Sequence, residues 1–314
     1  MKYFSKTLSI LVLVLIAIAT SCSKDDGGSS VSLRDYQEQY EKDIDTIDYF
    51  IDNYSMTVSA DFDVTFTKIT AQNPGTSIRN QTDYALEFKY IEVEDQDITT
   101  PGQPNGYKMY YINFREGNNL RPSKVDSVYA SYKGVRINND VFDQADNPAW
   151  LPLYATIRGW QEAMPMFKTG IYTSGGGPDP VTFADFGAGV IFLPSGLGYY
   201  SQTRTNLPSY SPLIFSFKLL ELSYIDHDRD GILSKDETDL YNDPEQVPDG
   251  DDILKVDTDS DGTINLLDVD DDGDGIKTKH EIHKDDAGNI IFEDCDNDGI
   301  PNYLDADSNG QTCN

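Results

Sequence analysis

Four acidic twelve-residue loops dictate what the C-terminal third of this chain can become. They read Asp226-His227-Asp228-Arg229-Asp230-Gly231 closing at Glu237, and Asp257-Thr258-Asp259-Ser260-Asp261-Gly262 closing at Asp268. The other two are Asp270-Asp271-Asp272-Gly273-Asp274-Gly275 closing at Glu281, and Asp294-Cys295-Asp296-Asn297-Asp298-Gly299 closing at Asp305. Each sets carboxylates at positions 1, 3 and 5, a glycine at 6 and an acid at 12. Ca²⁺ takes roughly 6–8 oxygens at about 2.3–2.6 Å, and the glycine lets the chain turn sharply around it. Residues 226–314 hold 28 acidic and 6 basic side chains, a net −22 out of −30 for the whole chain. So acidic a segment has too little apolar surface for its own core. It is expected to fold around its ions and to loosen without them. Nucleic acid is excluded as a partner, because phosphate binding needs a basic face.

The loops do not read as paired EF-hands. The first follows an apolar strand ending at Leu222, and the step from Asp257 to Asp270 leaves no room for helices between loops. Loops of this kind resemble thrombospondin type 3 and related extracellular calcium repeats. Lys277 stands where the third loop would pack an apolar residue. Asp268 is placed to close the second loop and to approach the third ion. A fifth unit begins at Asp305-Ala306-Asp307-Ser308-Asn309-Gly310.

The N-terminus is a targeting signal. Lys2 and Lys6 precede an apolar run from Leu8 to Ala19, too short for a comfortable membrane span, and small residues lead to Cys22. This resembles a bacterial lipoprotein lipobox, with Ala19 where leucine is usual. It implies removal of residues 1–21 and lipid on Cys22, hence a membrane anchor. Ser23-Lys24-Asp25-Asp26 resembles the Lys-acid-acid export tag of Bacteroidota surface lipoproteins. The expected location is the outer membrane, at the cell surface or on the periplasmic face. With Cys22 acylated, Cys295 and Cys313 remain as a pair expected to form a disulfide in an oxidising compartment.

Residues 22–31 form a tether. From Ser32 to Tyr54, Leu33, Tyr36, Tyr40, Ile44, Ile47 and Ile51 recur at helical steps. Alternation predicts strands at 61–69, 85–93, 109–114, 125–137, 190–193 and 213–222, and a short helix at 160–164 ended by Pro165 and Gly170. Residues 71–83, 101–106 and 173–180 read as loops. The expected organisation is an N-terminal extension (32–115), a mostly β domain (116–225) and the acidic repeats (226–314).

The β domain has no P-loop, metallohydrolase motif or Ser–His pairing, and His227, His280 and His283 all lie in or beside the acidic loops. It has an ordered set of short motifs: Tyr132-Lys133-Gly134, Val141-Phe142-Asp143, Ile157-Arg158-Gly159-Trp160, Gly170, Leu193-Pro194, Leu197-Gly198-Tyr199, Leu207-Pro208 and the closing run Leu213 to Leu222. In this order it resembles the FKBP-type peptidyl-prolyl cis–trans isomerases, over about a third of the chain. The resemblance implies an α+β fold: a twisted antiparallel sheet wrapped on a short helix. It also implies a pocket with Trp160 as floor, Tyr132, Phe142 and Phe215 as walls, and Asp143 beside them. The Ile157 N–H would serve as donor, and Tyr199 and Leu207 would lie in the flap. One wall phenylalanine has no clean match, although Trp150 stands near its place. The family's flap Ala-Tyr-Gly is Gly198-Tyr199-Tyr200, so a glycine is lost, and an insertion lies between Gly170 and Val190.

The resemblance implies isomerase activity on X-Pro-containing polypeptides, assisting exported proteins to fold, with no cofactor for catalysis and Ca²⁺ in a structural role. Two other readings stay open. One is a peptide-binding protein without turnover, which the altered flap favours. The other is a calcium-dependent adhesion or structural lipoprotein. Singly, aromatic residues in a β domain more often pack a core than line a pocket, and only the ordered set of motifs reverses that reading.

Overall fold

The computed structural model describes residues 33–93, 96–173, 181–237, 252–307 and 313. The expected signal peptide and tether with Cys22, most of the 173–180 loop and the end of the expected fifth repeat unit lie outside the described residues.

Helix α1 (Tyr36–Asn53) starts at Asp35, whose carboxylate accepts the Glu38 N–H at 2.9 Å, satisfying one of the donors a helix start leaves open. Strands β1 (Tyr54–Val58) and β2 (Val64–Lys68) follow as a hairpin. Then come β3 (Leu86–Ile91), β4 (Tyr107–Arg115), β5 (Ser127–Arg136) and β6 (Val141–Pro152). A short helix α2 (Arg158–Ala163), β7 (Ile171–Thr173), β8 (Thr182–Ala184), β9 (Gly187–Leu193) and β10 (Leu213–Ser223) complete this part.

Six strands make one antiparallel sheet in the order β3-β4-β9-β10-β5-β6. Both faces are covered. Ile191, Leu193, Phe215, Phe217 and Leu219 pack with Trp160, Met164 and Phe167 from the α2 side. Val190, Phe192 and Ile214 pack with Ile47, Phe50, Ile51 and Phe66 from α1 and the β1–β2 hairpin. Double coverage explains why every residue of β9 is buried and why its sequence is a continuous apolar run, not an alternating one.

Sequence and structure differ in several places, strand β1 among them, which the predicted strands do not include. Strands β3 and β4, assigned from the sequence to an N-terminal extension, hydrogen-bond into the same sheet through β4 and β9, so residue 115 is no boundary in the fold. Strand β6 is not among the strands that alternation predicts. It is a polar edge strand carrying Pro148 and pairs with β5 across two irregularities, so its pattern does not alternate. The inserted segment after Gly170 is framed by the β7–β8 hairpin.

The acidic repeats follow β10 directly and contain no α-helix among the described residues; their largest strands are β11 (Ile282–Lys284) and β12 (Ile290–Phe292). The four loops share one backbone design. The position-5 N–H donates to the position-3 carboxylate in each loop, at 2.9–3.2 Å. The position-2 N–H donates to a side-chain oxygen at position 9, which is Ser234, Asn265, Thr278 or Asn302. The position-6 glycines all have left-handed φ, between 94° and 110°, where a β-carbon would be strained. Lys277 is exposed and leaves this pattern intact, with the Ile276 N–H bonded to Asp274 as in the other loops. Ile253 and Leu266 of the repeats pack on buried Val125 of the sheet domain, and Cys295 is bonded to Cys313 with a Cα–Cα distance of 5.2 Å.

Candidate functional site

A cleft of about 760 Å³ opens beside α2, between β5, β6, β10 and the 195–205 segment. Its lining includes Tyr132, Phe142, Asp143, Ile157, Trp160, Tyr199 and Phe215. Three local features bring these residues together. Ile157 caps α2 in extended backbone, and Trp160 on the first turn of that helix is 3 % exposed. Gly159 lets the helix lie directly on β9, because a β-carbon there would stand 2.4 Å from Leu193 Cδ1. Gly134 sits in register with Phe215 on one side and Asp143 on the other. A β-carbon at Gly134 would meet the Phe142 and Phe215 rings at 2.8 Å, so the glycine makes room for both walls.

The aromatic set is edge-on throughout. Ring centroids lie 5.3 Å apart for Tyr132–Trp160, 5.6 Å for Trp160–Phe215 and 5.4 Å for Phe142–Phe215, with interplanar angles of 75–81°. Such T-shaped pairs fix ring orientation as well as adding contact energy. The Tyr132 hydroxyl donates to Asp143 Oδ2 at 3.0 Å. Burial, and then that carboxylate, push the Tyr132 phenol up to about 12, and burial with the Asp143 charge also raises Tyr199. Both hydroxyls therefore remain proton donors at neutral pH. Among the described residues no backbone carbonyl accepts the Ile157 N–H, and the Arg204 guanidinium lies 5.0 Å over the Tyr199 ring.

Two expectations need correction. Leu207 does not line this cleft. It is 2 % exposed and packed in the core, pinned by reciprocal backbone bonds with Arg204 at 2.9 and 3.0 Å, so it anchors the flap and borders a separate hollow with Arg136 and Val141. Trp150 is 48 % exposed and tilted against Tyr129, 5.2 Å away. Strand alternation turns it to the outer face, and Leu151 lines the cleft instead.

The flap departure resolves into geometry. Tyr200 stands where the resemblance expects glycine, and its φ is 46°, the left-handed region that a glycine would adopt without cost. Its ring stacks on Tyr36 of α1 at 4.6 Å and meets Tyr210 edge-on at 5.0 Å. Nearby, buried Asp43 of α1 accepts the Ser195 N–H at 2.7 Å and a Gln39 side-chain N–H at 2.6 Å. Sequence reasoning missed Tyr36 and Asp43 because they look like ordinary members of an amphipathic helix. The acid buried on the helix's apolar side was the available signal.

At positions 1, 3, 5 and 12 the four loops offer carboxylate oxygens. One carboxylate oxygen from each of Asp226, Asp228 and Asp230 lies within 4.8 Å of the others, and the same holds for Asp257, Asp259 and Asp261 and for Asp270, Asp272 and Asp274. Asp294, Asp296 and Asp298 repeat the loop geometry. The closing acids Glu237 and Glu281 are 1 % exposed, and neither oxygen of either has a hydrogen-bond partner. Asp228, Asp230, Asp257, Asp270, Asp272 and Asp305 also each bury an unpartnered oxygen. Asp268 feels the charges of Asp261 and Asp259, as a closing acid of the second loop should, and Asp305 is felt by both Asp272 and Glu281 of the third. Burial and mutual repulsion alone push Glu237 up to about 10 and Glu281 up to about 8. Buried carboxylates without partners are costly unless paired or metal-bound, so these residues fit a hard divalent cation.

Comparisons with known proteins bear on both halves. Over 137 residues, 43 % of this chain, it is 27 % identical to the FKBP-type 22 kDa peptidyl-prolyl cis-trans isomerase of Escherichia coli (strain K12), covering 58 % of that protein. Over 90 residues, 28 % of this chain, it is 34 % identical to the peptidyl-prolyl cis-trans isomerase Mip of Coxiella burnetii, covering 39 % of it. The central part of this chain is homologous to FKBP-type peptidyl-prolyl isomerases. The chain spans less than two thirds of the length of these relatives. Among solved structures, FkpA from Escherichia coli matches with a TM-score of 0.31 at 24 % identity, over 37 % of this chain and 48 % of that one. Residues 227–293 match the BamM C-terminal family model.

Proposed function

We propose that this chain is an FKBP-type peptidyl-prolyl cis–trans isomerase, anchored by lipid on Cys22 outside the cytoplasm, with calcium-binding repeats as an ion-stiffened appendage. The carrying observation is the Trp160–Tyr132–Phe142–Phe215 cage with the Tyr132–Asp143 hydrogen bond at its wall. Rotation about an X-Pro bond breaks no σ bond. The barrier is lost amide resonance, for an ordinary peptide bond roughly 18–20 kcal/mol, and spontaneous turnover takes about 10–100 s. A catalyst therefore needs no nucleophile; it must hold the twisted amide more tightly than the planar one. Trp160, Phe142 and Phe215 grip the proline ring and replace water on that side of the bond, which disfavours the more dipolar planar amide. In this reading the Ile157 N–H and the Tyr199 hydroxyl donate to carbonyls flanking the bond. Asp143 holds Tyr132 in position. A barrier lowered by about 5 kcal/mol gives several thousandfold acceleration.

The substrates are X-Pro-containing polypeptides, and the proposed task is folding of exported proteins at the outer membrane. The extracytoplasmic location is supported by the lipobox-like N-terminus and by the Cys295–Cys313 disulfide, which needs an oxidising compartment. The reading of a peptide binder without turnover drew on the altered flap, and the left-handed Tyr200 keeps the backbone course of a glycine there.

A protease-coupled X-Pro peptide assay on the full chain tests the proposal. Turnover should be measurable and should fall at least tenfold in Trp160→Ala and Phe142→Ala. A folded wild-type protein with no activity above background sinks the enzyme reading.

A further inference from the structure

Asp271 lies in the third repeat at position 2, a place the loop pattern gives no ligand role. It is nevertheless 1 % exposed, and neither of its carboxylate oxygens has a hydrogen-bond partner. One of its oxygens lies within 4.8 Å of oxygens of Asp230 and Glu237, from the first repeat. Those two side chains are 2 % and 1 % exposed and also hold unpartnered oxygens: Asp230 Oδ2 and both oxygens of Glu237. Three buried carboxylates from two repeats thus converge on one point. Oxygens bound at about 2.3–2.6 Å to a common ion stand no more than about 5 Å apart across it, and this cluster meets that limit. Its nearest cationic side chain on the facing β11 strand is Lys284, with Nζ 4.0 Å from a β-carbon position at Gly231. Lys284 acts on Asp230, and a single lysine does not balance three carboxylates.

We infer that Asp271 is a ligand to the cation of the first loop, so that this ion site is shared between the first and third repeats and closes only when both are folded. The inference rests on the calcium reading of the repeats. It makes the first ion a crosslink that fastens the third repeat to the loop leaving β10. That loop is itself seated on the sheet domain through the His227 ring, 5.4 Å from the Tyr154 ring. Its cargo is a hard divalent cation, since all donors are carboxylate oxygens.

The experiment is calcium titration calorimetry and thermal unfolding on the full chain, with Asp271→Asn, Glu237→Gln and Glu281→Gln singly and Asp271→Asn paired with each of the other two. In calcium, Asp271→Asn should weaken one site at least about tenfold. Combining it with Glu237→Gln should add little, because one ion is lost either way; combining it with Glu281→Gln should add in full. In EDTA, Asp271→Asn should unfold at the wild-type temperature or above it, because it removes one of three repelling charges. A variant less stable in EDTA as well as in calcium would make Asp271 a packing residue and overturn the inference. So would unchanged calcium affinity. A wild-type chain that binds no calcium would overturn the calcium reading itself, and the shared site with it.

Discussion

At Tyr200 the usual ranking of glycine and alanine should invert. In ordinary helix or strand backbone, glycine is worse than alanine by about 0.5–1 kcal/mol, because it loses more freedom on folding. At φ 46° the order reverses, since an L-residue in left-handed backbone costs about 1–2 kcal/mol that glycine does not incur. Tyr200 offsets this cost with two ring contacts, the stack on Tyr36 at 4.6 Å and the edge contact with Tyr210 at 5.0 Å, each worth about 0.5–1.5 kcal/mol. Tyr200→Ala loses both contacts and keeps the strain. Tyr200→Gly loses the contacts and sheds the strain. The two variants should therefore differ by about 1 kcal/mol in favour of glycine. Urea unfolding followed by tryptophan fluorescence reads this as a midpoint gap of about 0.3–1 M, given slopes of about 1–3 kcal/mol/M. The protease-coupled assay should rank them the same way, because the flap carries Tyr199 into the cleft. If Tyr200→Ala is as stable as Tyr200→Gly, or more so, the account of the flap as a strained glycine substitute clamped by α1 is wrong.

Gly134→Ala places a β-carbon 2.8 Å from both the Phe142 and Phe215 rings. Overpacking of this kind costs about 1–3 kcal/mol, and the expected result is a folded protein with at least about tenfold lower kcat/KM on X-Pro peptide; wild-type kinetics would show that the rings are not held where described. The pH dependence is fixed by the raised Tyr132. Its phenol, ordinarily near 10, is pushed up to about 12, so the folded state favours the protonated form. The resulting stability is fully present below about pH 10 and is lost as the pH climbs towards about 12. Turnover should be flat from about pH 6 to 9, and an inflection in that range that vanishes in Tyr132→Phe would contradict the assignment.

Much of the cleft was legible because its residues are held by local constraints that leave marks in sequence. Gly134 and Gly159 are required by close approach; Gly159 directly precedes Trp160, and Gly134 lies two residues after Tyr132 on the same strand. The turns of the acidic loops were legible for the same reason, since a glycine at each sixth position marks the left-handed backbone found there. What escaped is long-range. Leu207 carries the same local pattern whether it faces the cleft or the core, and only the Arg204–Leu207 pairing decides. Trp150 was misplaced because β6 pairs irregularly with β5, and one step of register moves a side chain to the other face. Asp271 stands at position 2 of its loop, which the repeat pattern leaves without a role. Its burial beside Asp230 and Glu237 follows from the packing of one repeat on another, which no spacing within a repeat encodes.

The N-terminal residues, set apart in sequence as an extension, prove inseparable from the cleft. Strand β4 covers the edge of β9 that would otherwise end the sheet, and α1 with its hairpin buries Val190, Phe192 and Ile214 on the face away from α2. Those same strands carry Phe215 and Leu193 on the opposite face, so the pocket wall and the α2 platform are fixed from behind by the so-called extension. Asp43 then holds Ser195 at the base of the flap, and Tyr36 clamps Tyr200 at its turn. A left-handed tyrosine is tolerable in the flap only because that helix is there to stack against it. The loss of the flap glycine and the presence of the N-terminal helix are therefore two halves of one structural solution.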